Sequence, residues 1–133
     1  MSTFKARVFT PDKLIFEGEV EALHIPTNRG NLTIYSQYAD YLTLIVPGTM
    51  RIVVNKEQSI YFISDGLLKI EDGAAYVMGE AIEAQDEIDL ERALAARERA
   101  EKRLKEKSSE TDLRRAEAAL MRAIERIKVS NKR

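Results

Sequence analysis

Apolar and polar positions alternate with a period of two along the first 84 or so residues, then recur in steps of three and four to the end of the chain. Residues 4–10 alternate up to Pro11-Asp12. Residues 14–25 resume the alternation and stop near Pro26, and Asn28-Arg29-Gly30-Asn31 has the composition of a turn. Residues 51–54 and 59–63 flank Asn55-Lys56-Glu57-Gln58 as a hairpin, while Asp65-Gly66 and Asp72-Gly73 punctuate the run to Met78. All three prolines and all six glycines fall in residues 1–84. Many short strands with such punctuation predict a β-sandwich or barrel, so the fold class is α+β with an N-terminal sandwich over residues 1–84.

Beyond that point the chain is built from Ala, Leu, Glu, Arg and Lys, all strong helix formers. Leu90, Ala93, Arg97, Ala100 and Leu104 make one seam, and Leu113, Ala116, Leu120, Ala123 and Ile127 make another. Asp89 is placed to N-cap the first helix; Ser109 followed by Asp112 resembles a capping box opening the second. The break falls around residues 107–110, short enough to make the helices antiparallel neighbours. Residues 85–133 therefore read as an αα-hairpin whose alanine-rich seams bury little area and leave it marginal unless it packs on something.

Composition adds three exclusions. The formal charge of the 133 residues is −1, so no overall basic excess calls for nucleic acid or an anionic surface. Without cysteine there is no disulfide framework and no thiolate zinc site. No secretory pattern opens the chain, and no apolar run approaches the roughly 18 residues of a spanning helix, so membrane association is expected to come through a partner. Charge is nevertheless unevenly divided: residues 1–84 carry 7 basic and 11 acidic side chains, and residues 85–133 carry 14 and 11.

Most charges of the hairpin have opposite neighbours three or four residues away, such as Glu98 with Lys102, Glu101 with Lys105, Asp112 with Arg115 and Glu117 with Arg114. Arg99 and Arg126 have none. Antiparallel pairing about residue 109 sets 92 level with 126, with 99 and 122 about one turn to either side, so Arg92, Arg99, Arg122 and Arg126 would converge. Such a cluster suits a triphosphate, whose oxygens match guanidinium forks. Four arginines fanning into solvent or docking on an acidic partner are the alternatives.

The stretch Ile88-Asp89-Leu90-Glu91-Arg92-Ala93 resembles the nucleotide-binding motif of bacterial F-type ATP synthase epsilon subunits: Ile or Leu, Asp, two variable residues, Arg, Ala. The likeness extends in order over the chain, through Thr10-Pro11-Asp12 and residues 114–126. It implies a ten-stranded or similar β-sandwich followed by the hairpin, in a central-stalk subunit that is not itself an enzyme. It implies that Glu83, Ile88, Asp89 and Ala93 surround the adenosine of a regulatory ATP, with or without magnesium. Arg92, Arg99, Arg122 and Arg126 would serve the phosphates or brace the base. The implied partners are the gamma subunit, the membrane rotor ring of c subunits, and the alpha and beta subunits of the catalytic head, at the cytoplasmic face of the bacterial membrane. Arg114, Arg115, Arg122, Arg126 and Lys128 would contact the head when the hairpin extends and inhibits ATP hydrolysis. The chain departs from the family where relatives have a Gly-x-Leu-Gly-Ile-Leu-Pro-Gly-His loop: it keeps Gly30 and Leu32 but loses the later Gly, Pro and His. Gly30, Leu32 and Tyr35 are the rotor-ring candidates in that region.

Other residues suggest less. His24, the only histidine, has no serine-acid or metal-ligand spacing around it and reads as structural. Tyr35, Tyr38 and Tyr41 could form a contact patch or pack the sandwich; Met78 and Met121 read as core filler. No Gly-rich phosphate loop and no paired catalytic base are present, which argues against a hydrolase. The remaining rival is a helical-hairpin adaptor or RNA-binding module using the basic stripe from Arg114 to Lys128.

Overall fold

The computed structural model describes residues 2–106 and 109–132. Among the described residues there are eight strands: β1 (Phe4–Phe9), β2 (Leu14–Val20), β3 (Ala22–Thr27), β4 (Gly30–Ile34), β5 (Tyr41–Ile45), β6 (Gly48–Val54), β7 (Glu57–Glu71) and β8 (Ala74–Ala84). They hydrogen-bond as β2-β1-β8-β7-β5-β3-β4, with β6 closing between β3 and β7. β1 and β8 run parallel; the other pairings are antiparallel.

The sandwich is made by strands that change layers. β7 pairs through Glu57–Ile63 with β6 and through Gly66–Ile70 with β5, and it turns between the two at Asp65, whose φ is 41°. Gly66 is required there, because a Cβ on it would stand 1.7 Å from the Met78 carbonyl oxygen. The Asp65-Gly66 pair expected to end a strand therefore bends one. β8 follows β7 through the bend, and counting each arm of the two long strands separately turns eight strands into the ten expected. The β6–β7 hairpin is tighter than the sequence suggested. Asn55 (φ 52°) and Lys56 (φ 65°) alone form its turn, the double positive φ of a two-residue hairpin loop, and Glu57 and Gln58 already belong to β7.

Alternation places Phe4, Ala6 and Val8 of β1, Ile25 of β3, Met50 and Ile52 of β6, and Ile63, Leu68 and Ile70 of β7 in one core between the layers. Tyr38 and Tyr41 pack against that core, with ring centroids 6.3 Å apart, whereas Tyr35 is 59% exposed. Met78 is half-buried. Met121, expected inside, is 53% exposed, because the seam of its helix runs along Ala116 and Ala123.

A 3₁₀ turn (Gln85–Glu87) leads into α1 (Leu90–Lys105) and α2 (Glu110–Asn131), which pack on each other through the buried Ala93, Ala100, Ala116 and Ala123. The caps are those the sequence offers: Asp89 accepts from the Arg92 amide at 3.1 Å, and Ser109 Oγ from the Asp112 amide at 3.3 Å. Part of the expected break, residues 107–108, lies outside the described residues. Surface pairing differs in detail, since Glu101 meets Arg97 at 3.4 Å rather than Lys105, and Arg114 meets Glu110 at 2.8 Å rather than Glu117. Being exposed, these pairs contribute little either way.

α2 lies against β6 and β7 and buries Val129 completely. Gln85 fixes that placement, its side-chain amide donating to the carbonyls of Val129 (2.9 Å), which also accepts from the Lys132 amide at 3.1 Å, and of Lys132 at the end of α2. The connected hydrophobic core contains no hairpin residue. A fragment ending at Ala84 is accordingly expected to keep the β-type circular dichroism and cooperative melting of the sandwich and to assemble into its complex. An unfolded fragment would show that the hairpin belongs to the core.

Candidate functional site

The end of β8, the 3₁₀ turn and the two helices enclose a cavity of about 440 Å³. Register brings Glu83 opposite Phe62 of β7, and from there Glu83 meets Arg126 of α2 in a two-pronged ion pair. Arg126 Nε donates to Oε1 at 3.2 Å and Oε2 at 3.1 Å, and Nη2 donates to Oε2 at 2.8 Å. The same guanidinium lies 4.4 Å from the centre of the Phe62 ring, so it is held by a carboxylate and an aromatic face together. Arg126 thus has its acid partner 43 residues away, which accounts for the lack of one on its own helix.

Arg92 and Arg99, seven residues apart on one face of α1, complete the basic lining of the cavity, to which Glu87, Asp89, Ala93 and Ala96 also contribute. Asp89 uses one oxygen as helix cap, leaving the other for a ligand. Glu87 Oε1 accepts from the Ala84 amide at 3.3 Å and so ties the 3₁₀ turn to the strand end. Among the described residues, neither Arg92 nor Arg99 forms an ion pair. Those two guanidiniums are the unpaired donors of the site, in a lining whose three arginines are balanced in formal charge by Glu83, Glu87 and Asp89.

Six of the eight candidate nucleotide residues line this cavity: Glu83, Asp89, Arg92, Ala93, Arg99 and Arg126. Ile88 is half-buried in the turn that leads into it, and Arg122 stands apart, 3.9 Å from Asp65 on the bend of β7. Four arginines therefore do not converge in this structure. Three do, because the bend presents a competing carboxylate to Arg122. Glu87 and Ala96 were missed; Glu87 reads as an ordinary first-turn acid, and Ala96 is four residues before Ala100 on a seam rich in alanine.

The other candidates lie elsewhere. Arg114, Arg115 and Lys128 are exposed on α2. Gly30 and Leu32 are in β4, Leu32 packing against the core, so of the rotor-ring candidates Tyr35 is the side chain offered to solvent. Among the described residues no group of three His, Cys, Asp or Glu could hold a metal ion, and no helix is long and apolar enough to cross a membrane.

The layout is thus a β-sandwich carrying a helical hairpin, with an arginine-lined cavity where the two meet. Two family profiles cover that layout: the ATP synthase delta/epsilon chain beta-sandwich domain matches residues 3–85, and the delta/epsilon chain long alpha-helix domain matches residues 86–131. The chain is 43% identical over 134 residues to the ATP synthase epsilon chain of Ruminococcus albus, with all of both chains covered. It is 38% identical over 106 residues to that of Clostridium novyi, covering 79% of this chain and 81% of the relative. A chain in the cryo-EM structure of the Euglena gracilis mitochondrial ATP synthase shares the fold, with a TM-score of 0.83 at 22% identity, covering 92% of this chain and 78% of that one. The chain belongs to the ATP synthase delta/epsilon family, as an epsilon subunit of the bacterial F-type.

Proposed function

We propose that the chain is a central-stalk subunit whose hairpin senses ATP and regulates hydrolysis by the assembled synthase. The observation that carries this is the cavity at the hinge. Its walls come from β8, α1 and α2 at once, so it exists in this form only while the hairpin is folded down. Its volume falls in the range of small-molecule sites, about 300–1,000 Å³. Arg92 and Arg99 supply unpaired donors for phosphate oxygens, Asp89 an acceptor for ribose or base, and Arg126 a plane already stacked on Phe62. Magnesium, where present, would come with the phosphates rather than with a carboxylate set of the protein.

ATP that binds only the compact hairpin stabilises it by about 2.7 kcal/mol at 100 times its dissociation constant. Inverting a 1:99 population needs about 5.5 kcal/mol, so ATP at that level tilts the switch without fully reversing it. In the extended state Arg122 and Arg126 leave Asp65 and Glu83 and join the exposed Arg114, Arg115 and Lys128 as a basic surface for the alpha and beta subunits of the catalytic head. ATP and the head then compete for Arg126, the one side chain common to the cavity and that surface, which links binding and inhibition reciprocally. The sandwich binds the gamma subunit and the c ring, and so carries the chain at the cytoplasmic face of the bacterial membrane as a peripheral part of the complex. The RNA-binding alternative loses support because Arg122 and Arg126 turn towards the sandwich and interrupt the basic stripe.

Calorimetric titration of the isolated chain tests the reading. ATP should bind more tightly than ADP, since the extra phosphate offsets the repulsion of Arg92 and Arg99. Arg99→Ala should weaken ATP binding by roughly 1.5–3 kcal/mol, the range for hydrogen bonds to charged groups. Equal affinity for ATP in parent and variant would remove the phosphate assignment.

A further inference from the structure

A second cavity of about 440 Å³ lies between the sandwich and the end of α2 and shares no lining residue with the first. His24 of β3 and Arg51 of β6, direct partners across the two strands, form one wall; Glu125, Lys128 and Lys132 form the other. Three cations face one carboxylate, and that carboxylate is already engaged by Lys128 at 3.5 Å. Among the described residues, Arg51 and Lys132 have no ion pair, although both are half-buried and so less screened than surface charges.

Burial, and then the Arg51 charge, hold the His24 pKa below its ordinary 6.5, so the ring is neutral at pH 7. Its Nδ1 is occupied by Thr33 Oγ1 at 3.0 Å, which leaves Nε2 for a further partner. The site thus carries an excess of two positive charges and three kinds of donor: a guanidinium fork, two ammonium groups and an imidazole. The excess matches a phosphate group, which carries about −1.5 to −2 at neutral pH as a monoester, better than a singly charged carboxylate.

We infer that this cavity binds a small phosphate-class oxyanion, and that the anion, held by the sandwich on one side and α2 on the other, keeps the hairpin docked. The inference does not depend on the ATP reading. A chain with no occupant there keeps Arg51 and the lysines of α2 together against the single Glu125 carboxylate, itself engaged by Lys128, whereas the bound anion is attracted to both walls. Phosphate would then stabilise the compact hairpin from a cavity separate from that of the nucleotide.

The only histidine of the chain is the reporter. Its Cε1–H resonance is followed in the intact protein while inorganic phosphate replaces chloride at constant ionic strength. A saturable shift is expected, with a rise in the His24 pKa as the anion adds negative charge beside the ring. Arg51→Ala and, separately, Lys132→Ala should each weaken the apparent phosphate affinity about ten-fold or more. ATP affinity of Arg51→Ala in chloride should equal that of the parent, which separates this site from the nucleotide cavity. A linear, unsaturable shift, or saturation unchanged in Arg51→Ala, would overturn the site. Loss in Arg51→Ala with parent-like binding in Lys132→Ala would confine the anion to the sandwich and overturn its role in docking.

Discussion

Arg126→Ala is expected to weaken ATP binding at least ten-fold and to loosen the hairpin even without nucleotide. Its guanidinium makes both prongs of the ion pair with Glu83, covers Phe62 and lines the nucleotide cavity, so one substitution removes three contacts. The pair is neither fully buried nor a surface pair, the Arg126 and Glu83 side chains being 27% and 32% exposed. Losing charge-assisted hydrogen bonds of this kind costs about 1–3 kcal/mol, and the aromatic contact adds about 0.5–1. The marginal alanine seams leave little to compensate. Arg126→Lys should fall between parent and alanine, because an ammonium keeps the charge but cannot form the fork. Hydrogen exchange of α2 amides reads the docking and calorimetry reads the ligand; parent-like protection and parent-like ATP binding in Arg126→Ala would sink the assignment.

The periodicity of the chain made the two-part fold legible, and the capping residues Asp89 and Ser109 marked the helix starts where the structure has them. The bend in β7 was not legible, since Asp65-Gly66 carries the same local signal whether a strand ends or turns into the other layer; only the close approach of Gly66 to Met78 distinguishes them. That one ambiguity propagated to the site. The bend puts Asp65 beside Arg122, so the fourth arginine expected in the cluster is drawn away. Arg126, by contrast, was marked by what its helix lacks, and a residue without local acids proved to have a distant one. The Gln85 clamp on the end of α2 left no trace in the sequence, because its partners are backbone carbonyls 44 and 47 residues away, and carbonyls have no residue signature.

In the proposed function the compact hairpin is the permissive state, and inhibition requires it to open. Ala93 and Ala123 are both buried where α1 and α2 meet, and the native chain has no cysteine to compete. A disulfide between Ala93→Cys and Ala123→Cys would hold the helices together, so that the hairpin arginines stay turned to the sandwich and away from the head. The largest functional effect is expected here, since the lock acts on the whole opening equilibrium rather than on one contact, as ATP does only in part. The direct measurement is ATP hydrolysis by the synthase reconstituted with this double variant, oxidised and then reduced. Relief of inhibition in the oxidised complex and its return on reduction are expected; equal inhibition in both conditions would overturn the proposed switch.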